Sequence, residues 1–240
     1  MSDDKKQEAR RRADRLRDKY ERLGTPLLWF EALYKEAEGD AGYIPWGIQE
    51  GGHQAARRPL FAWLERLEAG SPRGKALDVG CGLGDNAAAL QVAGFETTAF
   101  DISETAISWA SERFAGHGID FVAADLFDLP DDWAGRFDLV AETFTIQALK
   151  GDMRFKALKK LAALVKPGGR FLIVCRGRLE DEDCTPPPWP LTPSELQQVE
   201  TLGFEAKPLE SFFNKKEPPQ RMFLAEFIPP LPSDEEAEGL

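Results

Sequence analysis

Three glycines at alternate positions, Gly80, Gly82 and Gly84, stand between the apolar run Ala76-Leu77-Asp78-Val79 and the helix-forming run Ala87-Ala88-Ala89-Leu90. A strand that breaks into such a turn and feeds a helix lets a ligand lie against bare backbone, facing the positive end of the helix. Asp101 ends the next strand-like run and lies 19 positions after Gly82. That is close to the roughly 20-residue offset at which an acid meets a ribose hydroxyl pair in nucleotide-binding βαβ units. The spacing also discriminates, because a dinucleotide fingerprint would put a glycine at position 85, where this chain has Asp85. An acid at the mouth of the helix is wrong for a pyrophosphate and acceptable for a ligand carrying an ammonium group.

The elements that must hold these residues alternate strand and helix. Ser103 is a good N-cap for a helix over 104–114, and residues 119–123 form the third strand, with Asp125 just past its end. Residues 137–141 make the fourth strand, which exits through Glu142-Thr143-Phe144. In open α/β sheets ligands bind outside the carboxyl ends of the strands, near the switch between the first and fourth, which places Glu142 and Thr143 at the reacting centre. After an amphipathic helix over 152–165, Lys166-Pro167-Gly168-Gly169 turns into a fifth strand, 170–175, with Arg176 on the same rim. Arg176 is either a surface charge or the holder of an anionic group. Thr192, Pro193 and Glu195 spell the start of a helix running to Gly203, and residues 204–212 and 221–227 form the last two strands.

Upstream, residues 5–23 hold nine Lys or Arg among frequent acids and read as a solvated helical arm, or one that contacts a partner. Helices at 27–37 and 58–67 flank the aromatic loop Tyr43-Ile44-Pro45-Trp46. The domain reading is a charged arm at 1–24, one α/β domain at 25–232 whose residues 25–72 form a helical lid, and an acidic disordered tail at 233–240. No apolar run approaches the ~20 residues that span a bilayer, and no secretory signal is visible. A formal net charge of -11 argues against a nucleic-acid partner. Three cysteines without paired spacing indicate reduced thiols and a cytoplasmic location, and two distant histidines give no metal pattern.

Asp78-Val79-Gly80-Cys81-Gly82-Leu83-Gly84 resembles the first motif of the class I S-adenosyl-L-methionine (SAM)-dependent methyltransferases, and the resemblance extends over roughly residues 43–228. Within that superfamily the chain looks most like the small-molecule, thiopurine S-methyltransferase-like branch. The resemblance implies a Rossmann-like α/β fold with a seven-stranded, mostly parallel sheet, an antiparallel last strand, helices on both faces and an N-terminal helical lid. It implies SAM as cofactor, held by Trp46, Asp78, Gly80, Gly82, Gly84, Asp101, Ile102, Asp125, Leu126, Glu142 and Thr143. Asp101 would take the ribose and Asp125 the adenine amine, although Asp125 also reads as a turn cap. Trp46 would fold over the cofactor, or simply pack the N-terminal helices on the core. Tyr43, Phe144, Arg176 and Trp189 would border the acceptor.

Nucleobase and glutamine methyltransferases of this superfamily carry Asn/Asp-Pro-Pro-Tyr where this chain has Ala141-Glu142-Thr143-Phe144, so those substrates are disfavoured. The expected acceptor is a small molecule, best a thiol, because a thiolate needs no strong base. Glu142 and His53 are the candidates should a base be used; His53 reads more simply as a solvated helix-start residue and Glu142 as part of the cofactor pocket. The rival readings are an O-, N- or C-methyltransferase, a nicotinamide-dependent oxidoreductase, and a SAM-binding module that regulates a partner without turnover. A monomer or weak homodimer is expected.

Overall fold

A computed structural model describes residues 3–46, 58–67, 73–184, 188–214 and 218–231. Its helices are α1 (Asp3–Arg22), α2 (Trp29–Glu36), α3 (Arg58–Glu65), α4 (Asp85–Val92), α5 (Glu104–Arg113), α6 (Asp152–Ala162) and α7 (Pro193–Gln197). Its strands are β1 (Lys75–Val79), β2 (Glu96–Asp101), β3 (Asp120–Ala123), β4 (Phe137–Thr143), β5 (Val165–Arg176), β6 (Glu205–Ala206), β7 (Glu210–Phe213) and β8 (Arg221–Ile228).

The strands form one sheet in the order β3-β2-β1-β4-β5-β8-β6, with β7 also on β8. Strands β1 to β5 pair in parallel, and β8 runs antiparallel to β5. The chain reverses its direction of winding between β1 and β4, which leaves an opening above their carboxyl ends. Alternation along the strands feeds two cores. Leu77, Val79, Val140, Phe171 and Ile173 pack with α6 on one face. Ala76, Leu139, Ala141, Leu172 and Val174 pack with α3 and α4 on the other.

The sheet has eight strands, not the expected seven. The extra one arises because the single strand expected over 204–212 is interrupted. Glu205 pairs with Ile228 and Glu210 with Leu224, so β6 and β7 follow each other along one edge of β8. Lys207 still donates its N–H to Glu226 O at 2.8 Å, but Pro208 has no N–H to continue the ladder.

The basic arm is a docked helix. Ala9, Ala13 and Leu16 recur on one stripe of α1 and are buried against α2 and the loop that follows it. Burying Leu16 alone is worth about 2 kcal/mol. Arg12 and Arg15 reach across to Glu36 of α2, at 3.9 and 2.8 Å.

Candidate functional site

The glycine turn leaves β1 with left-handed backbone at Gly80, Gly82 and Gly84, where φ is 61°, 53° and 81°. An alanine Cβ at Gly80 would lie 2.4 Å from Thr145 Oγ1, and one at Gly82 would lie 2.8 Å from the Tyr34 hydroxyl. The turn is therefore walled on one side by the exit of β4 and on the other by α2. Gly84 is the N-cap of α4 and supplies no capping side chain, so N–H groups of the first helical turn keep capacity for a ligand.

Asp101, at the end of β2, accepts hydrogen bonds from Gly82 N and from Ser103 N, each at 2.9 Å, one on each oxygen. The Ile102 N–H bears on the same carboxylate. Burial pushes the Asp101 pKa up, against the pull of the Ser103 and Gly82 N–H groups. Ile102 follows it half-buried, and Ser103 caps α5 by accepting from Ala106 N. Asp78 is buried inside β1, level with Ala99 and Ala141. Asp125 accepts from Phe127 N at 2.9 Å, a turn-capping bond, while Leu126 is buried beneath it.

Glu142 lies level with Val79 across the β1–β4 ladder and is completely buried. Its Oε1 accepts from Thr145 N at 2.5 Å and from Ile146 N at 3.1 Å, while Oε2 has no partner among the described residues. Burial pushes its pKa up to about 7, against the pull of those two N–H groups. The carboxylate thus faces inward and organises the loop after β4. Thr143 Oγ1 and, on α4, Asn86 Oδ1 are also buried without partners among the described residues. Phe144 turns the chain with a φ of 68°, a strained value for a residue with a side chain, yet its N–H still reaches Val174 O at 2.9 Å.

Trp46 donates from Nε1 to the Tyr34 hydroxyl at 2.8 Å, and its ring meets Trp29 and Phe30 edge-on. Burial, then the nearby Asp101, push the Tyr34 pKa well up, so its hydroxyl stays protonated. Tyr34 therefore belongs to the wall of the glycine turn, a role sequence reasoning missed because its spacing reads as ordinary helix packing. Glu31, one helical turn earlier, was missed for the same reason. It accepts from Ser103 Oγ at 2.6 Å and Thr105 Oγ1 at 2.8 Å, tying α2 to the cap of α5.

The remaining residues fall on two sides. Tyr43 gives its ring to Lys5 and Arg12 of α1, at 4.8 and 4.4 Å. Trp189 is pinned through its backbone, its N–H on Gln147 O at 2.9 Å and its carbonyl under Arg154 Nη2 at 2.7 Å. Gln147 also accepts from Arg176 N at 2.7 Å, so Arg176 and Trp189 share one anchor. Asp85 is not presented to a ligand ammonium, because Arg113 holds it at 2.9 and 3.1 Å. Cys81 sits inside the turn, and burial raises its thiol pKa well above the ordinary value. His53 lies outside the described residues. No cluster of His, Cys, Asp or Glu suited to a metal ion occurs among the described residues.

A parallel sheet with a glycine turn at its switch point, an acid ending the second strand and an aromatic helical cover define a Rossmann-like nucleotide-cofactor fold. The methyltransferase domain family matches residues 76–169. A probable thiol methyltransferase 2 of Arabidopsis thaliana is 29% identical over 71% of this chain and 73% of its own. Thiocyanate methyltransferase 1 of Brassica oleracea is 29% identical over 71% of this chain and 80% of its own. The solved Burkholderia thailandensis 1,6-didemethyltoxoflavin-N1-methyltransferase, with S-adenosylhomocysteine bound, superposes with a TM-score of 0.63 at 22% identity, over 88% of this chain and 90% of its own. Residues 76–169 are thus a methyltransferase domain, in a chain similar along most of its length to small-molecule methyltransferases and sharing the fold of a SAM-dependent one.

Proposed function

We propose that the enzyme methylates a small thiol in the cytoplasm, and that the walls described above are its cofactor and acceptor sites. The observation that carries the cofactor reading is the Gly82–Asp101 contact at the mouth of an uncapped helix. Asp101 takes the ribose hydroxyls, beside Ile102. The turn Gly80 to Gly84 lies against the aminoacyl part, and Thr143 and Asn86 offer buried oxygens to the ammonium. Asp125 and Leu126 border the adenine. Trp46 and Tyr34 cover the turn and exclude water. SAM supplies a methyl group already activated on a sulfonium. The chain then needs chiefly to align a nucleophile with it.

A thiol fits because Glu142, the one candidate base among the described residues, is completely buried. Glu142 is turned inward and spends one oxygen on two backbone N–H groups. A thiol is partly thiolate near neutral pH and needs no such base. The thiol and thiocyanate methyltransferases among the relatives point the same way. Phe144 and Trp189 border the acceptor. No helix among the described residues is long and apolar enough to cross a membrane. The acidic net charge of -11 disfavours a nucleic-acid substrate, and a monomer or weak homodimer suffices for a site built from one chain. The residue range 25–232 acts as the catalytic domain, with α1 as its outer cover.

The test is a product screen with methyl-labelled SAM across thiols, phenols and amines. Label appearing in thioethers supports the reading. Label confined to oxygen or nitrogen products would move the chain to another acceptor class.

A further inference from the structure

We propose that Gln147 is a positioning residue for methyl transfer. It fixes the segment that carries Trp189 over the carboxyl end of β4, and so sets where the acceptor stands against the glycine turn. This rests on the acceptor side assigned above and adds to it the residue that builds it.

β4 and β5 part at the rim of the sheet. The Phe144 N–H still reaches Val174 O at 2.9 Å, but a φ of 68° at Phe144 then turns the chain away. Arg176 lies two residues after Val174, so its N–H and carbonyl face the edge that β4 has left. Gln147, on the short turn Ile146–Ala148, supplies the acceptor that the ladder no longer gives: its Oε1 accepts from Arg176 N at 2.7 Å. The Arg176 carbonyl accepts from Leu191 N at 2.9 Å, and Leu191 O accepts from Arg178 N at 2.9 Å. Leu191 thus forms a parallel bridge with Gly177, on the same edge of β5. The segment around Leu191 takes the place that β4 gives up.

Gln147 stands at that junction and is buried. Its side-chain carbonyl holds the end of β5, and its backbone carbonyl accepts from Trp189 N at 2.9 Å. Arg154 of α6 completes the hold. It donates from Nε to Leu149 O at 3.0 Å and from Nη2 to Trp189 O at 2.7 Å, and it pairs with Glu195 in the cap of α7. Trp189 is therefore fixed at both its N–H and its carbonyl.

The same loop reaches the cofactor side. Thr145 donates its hydroxyl to Val79 O at 3.1 Å, where β1 enters the glycine turn. The stretch from Thr145 to Gln147 therefore links that turn to Trp189. An in-line displacement needs the acceptor atom aligned with the sulfonium methyl, and a misplacement of about 1 Å can cost about a hundredfold in rate. Removing the Gln147 oxygen leaves a buried N–H on β5 without its acceptor and frees the turn that carries Trp189.

The test compares variants in steady-state turnover. The probe is whichever of thiophenol, phenol and aniline the parent methylates fastest, so the test stands for any acceptor atom. Gln147→Met keeps the length and removes the oxygen. It should lower kcat/KM for the acceptor about tenfold or more, while the dissociation constant of SAM stays within about threefold. Gln147→Glu keeps an oxygen at the same reach and should return kcat/KM to within about threefold of the parent, even where its thermal midpoint falls as far as that of the Met variant. A Met variant with parental kcat/KM, or losses that follow the thermal midpoint in both variants, overturns the proposal. Gln147→Asn, which withdraws the amide by one methylene, is held to the same criterion if the Met variant does not fold. In a Trp189→Ala background, Gln147→Met should cost less than about threefold more, because it acts through that residue; full additivity refutes this. Parental turnover by Trp189→Ala, or no methylation of any of the three probes, overturns the acceptor side and the proposal with it. A loss in Trp189→Ala without one in Gln147→Met overturns the proposal alone.

Discussion

Gly82 donates its N–H to Asp101 Oδ2 at 2.9 Å, so the glycine turn that ends β1 is held by the acid that ends β2. The two residues are 19 positions apart. The same carboxylate fixes Ser103, the cap of α5. One side chain therefore sets the shape of the turn and ties it to α5.

Asp101→Ala should weaken SAM binding by about tenfold or more, since it removes a charged acceptor and lets Gly82 move. Asp101→Asn keeps the shape but turns one oxygen into a donor, and should fall between the two. Titration calorimetry with SAM and S-adenosylhomocysteine reads both. An affinity within twofold of the parent would remove Asp101 from the cofactor seat.

Glu31 is the polar link between the helical cover and the sheet. Burial pushes its pKa up, but the Ser103 hydroxyl, Lys35 and Thr105 outweigh this and bring it from 4.5 down to about 2. A depressed folded pKa means that the contribution is complete above about pH 4.5 and is lost as pH falls toward about 2. Glu31→Gln should thus cost about 1–3 kcal/mol at pH 7 and progressively less in acid. Denaturant melts at pH 7 and pH 3 check the direction; an equal loss at both contradicts it.

Glu142 has the opposite sign. Its folded pKa, raised from 4.5 to about 7, makes folding less favourable as pH rises through that window. Glu142→Gln retains an oxygen for the Thr145 and Ile146 N–H groups and cannot ionise. It should be as stable as the parent at pH 5 and more stable, by about 1–3 kcal/mol, at pH 8. Its kcat should stay within about fivefold of the parent, because a base role is not required for a thiolate. A loss of about a hundredfold or more in kcat would instead make Glu142 the general base.

Gly82→Ala meets two obstacles, a φ of 53° and a Tyr34 hydroxyl 2.8 Å from the new Cβ. The variant should lose about 1–3 kcal/mol. Tyr34→Phe removes the clashing oxygen, so the double variant should recover part of that loss. Additive losses in a double-mutant cycle would show that Tyr34 does not rest on the turn.

Much of the core was readable locally. The capping box at Thr192 and Glu195, the cap at Ser103 and the glycine turn all depend on neighbours within a few residues. Features set by distant packing were not readable. Glu31 finds Ser103 across 72 positions, and Tyr34 meets Gly82 only once α2 is laid over the turn. The docking of α1 rests on two alanines and a leucine in a highly charged stretch, too thin a stripe to outweigh its charge. Asp85 was read as facing a ligand because its partner Arg113 lies 28 positions away. The split of the penultimate strand did have a local signal, Pro208, which cannot join a ladder.

The most direct test of the central claim is calorimetric titration of the purified chain with SAM, alongside the Asp101→Ala variant. One SAM should bind per chain in the parent, with affinity reduced about tenfold or more in the variant. No binding heat from the parent at millimolar SAM would contradict the claim.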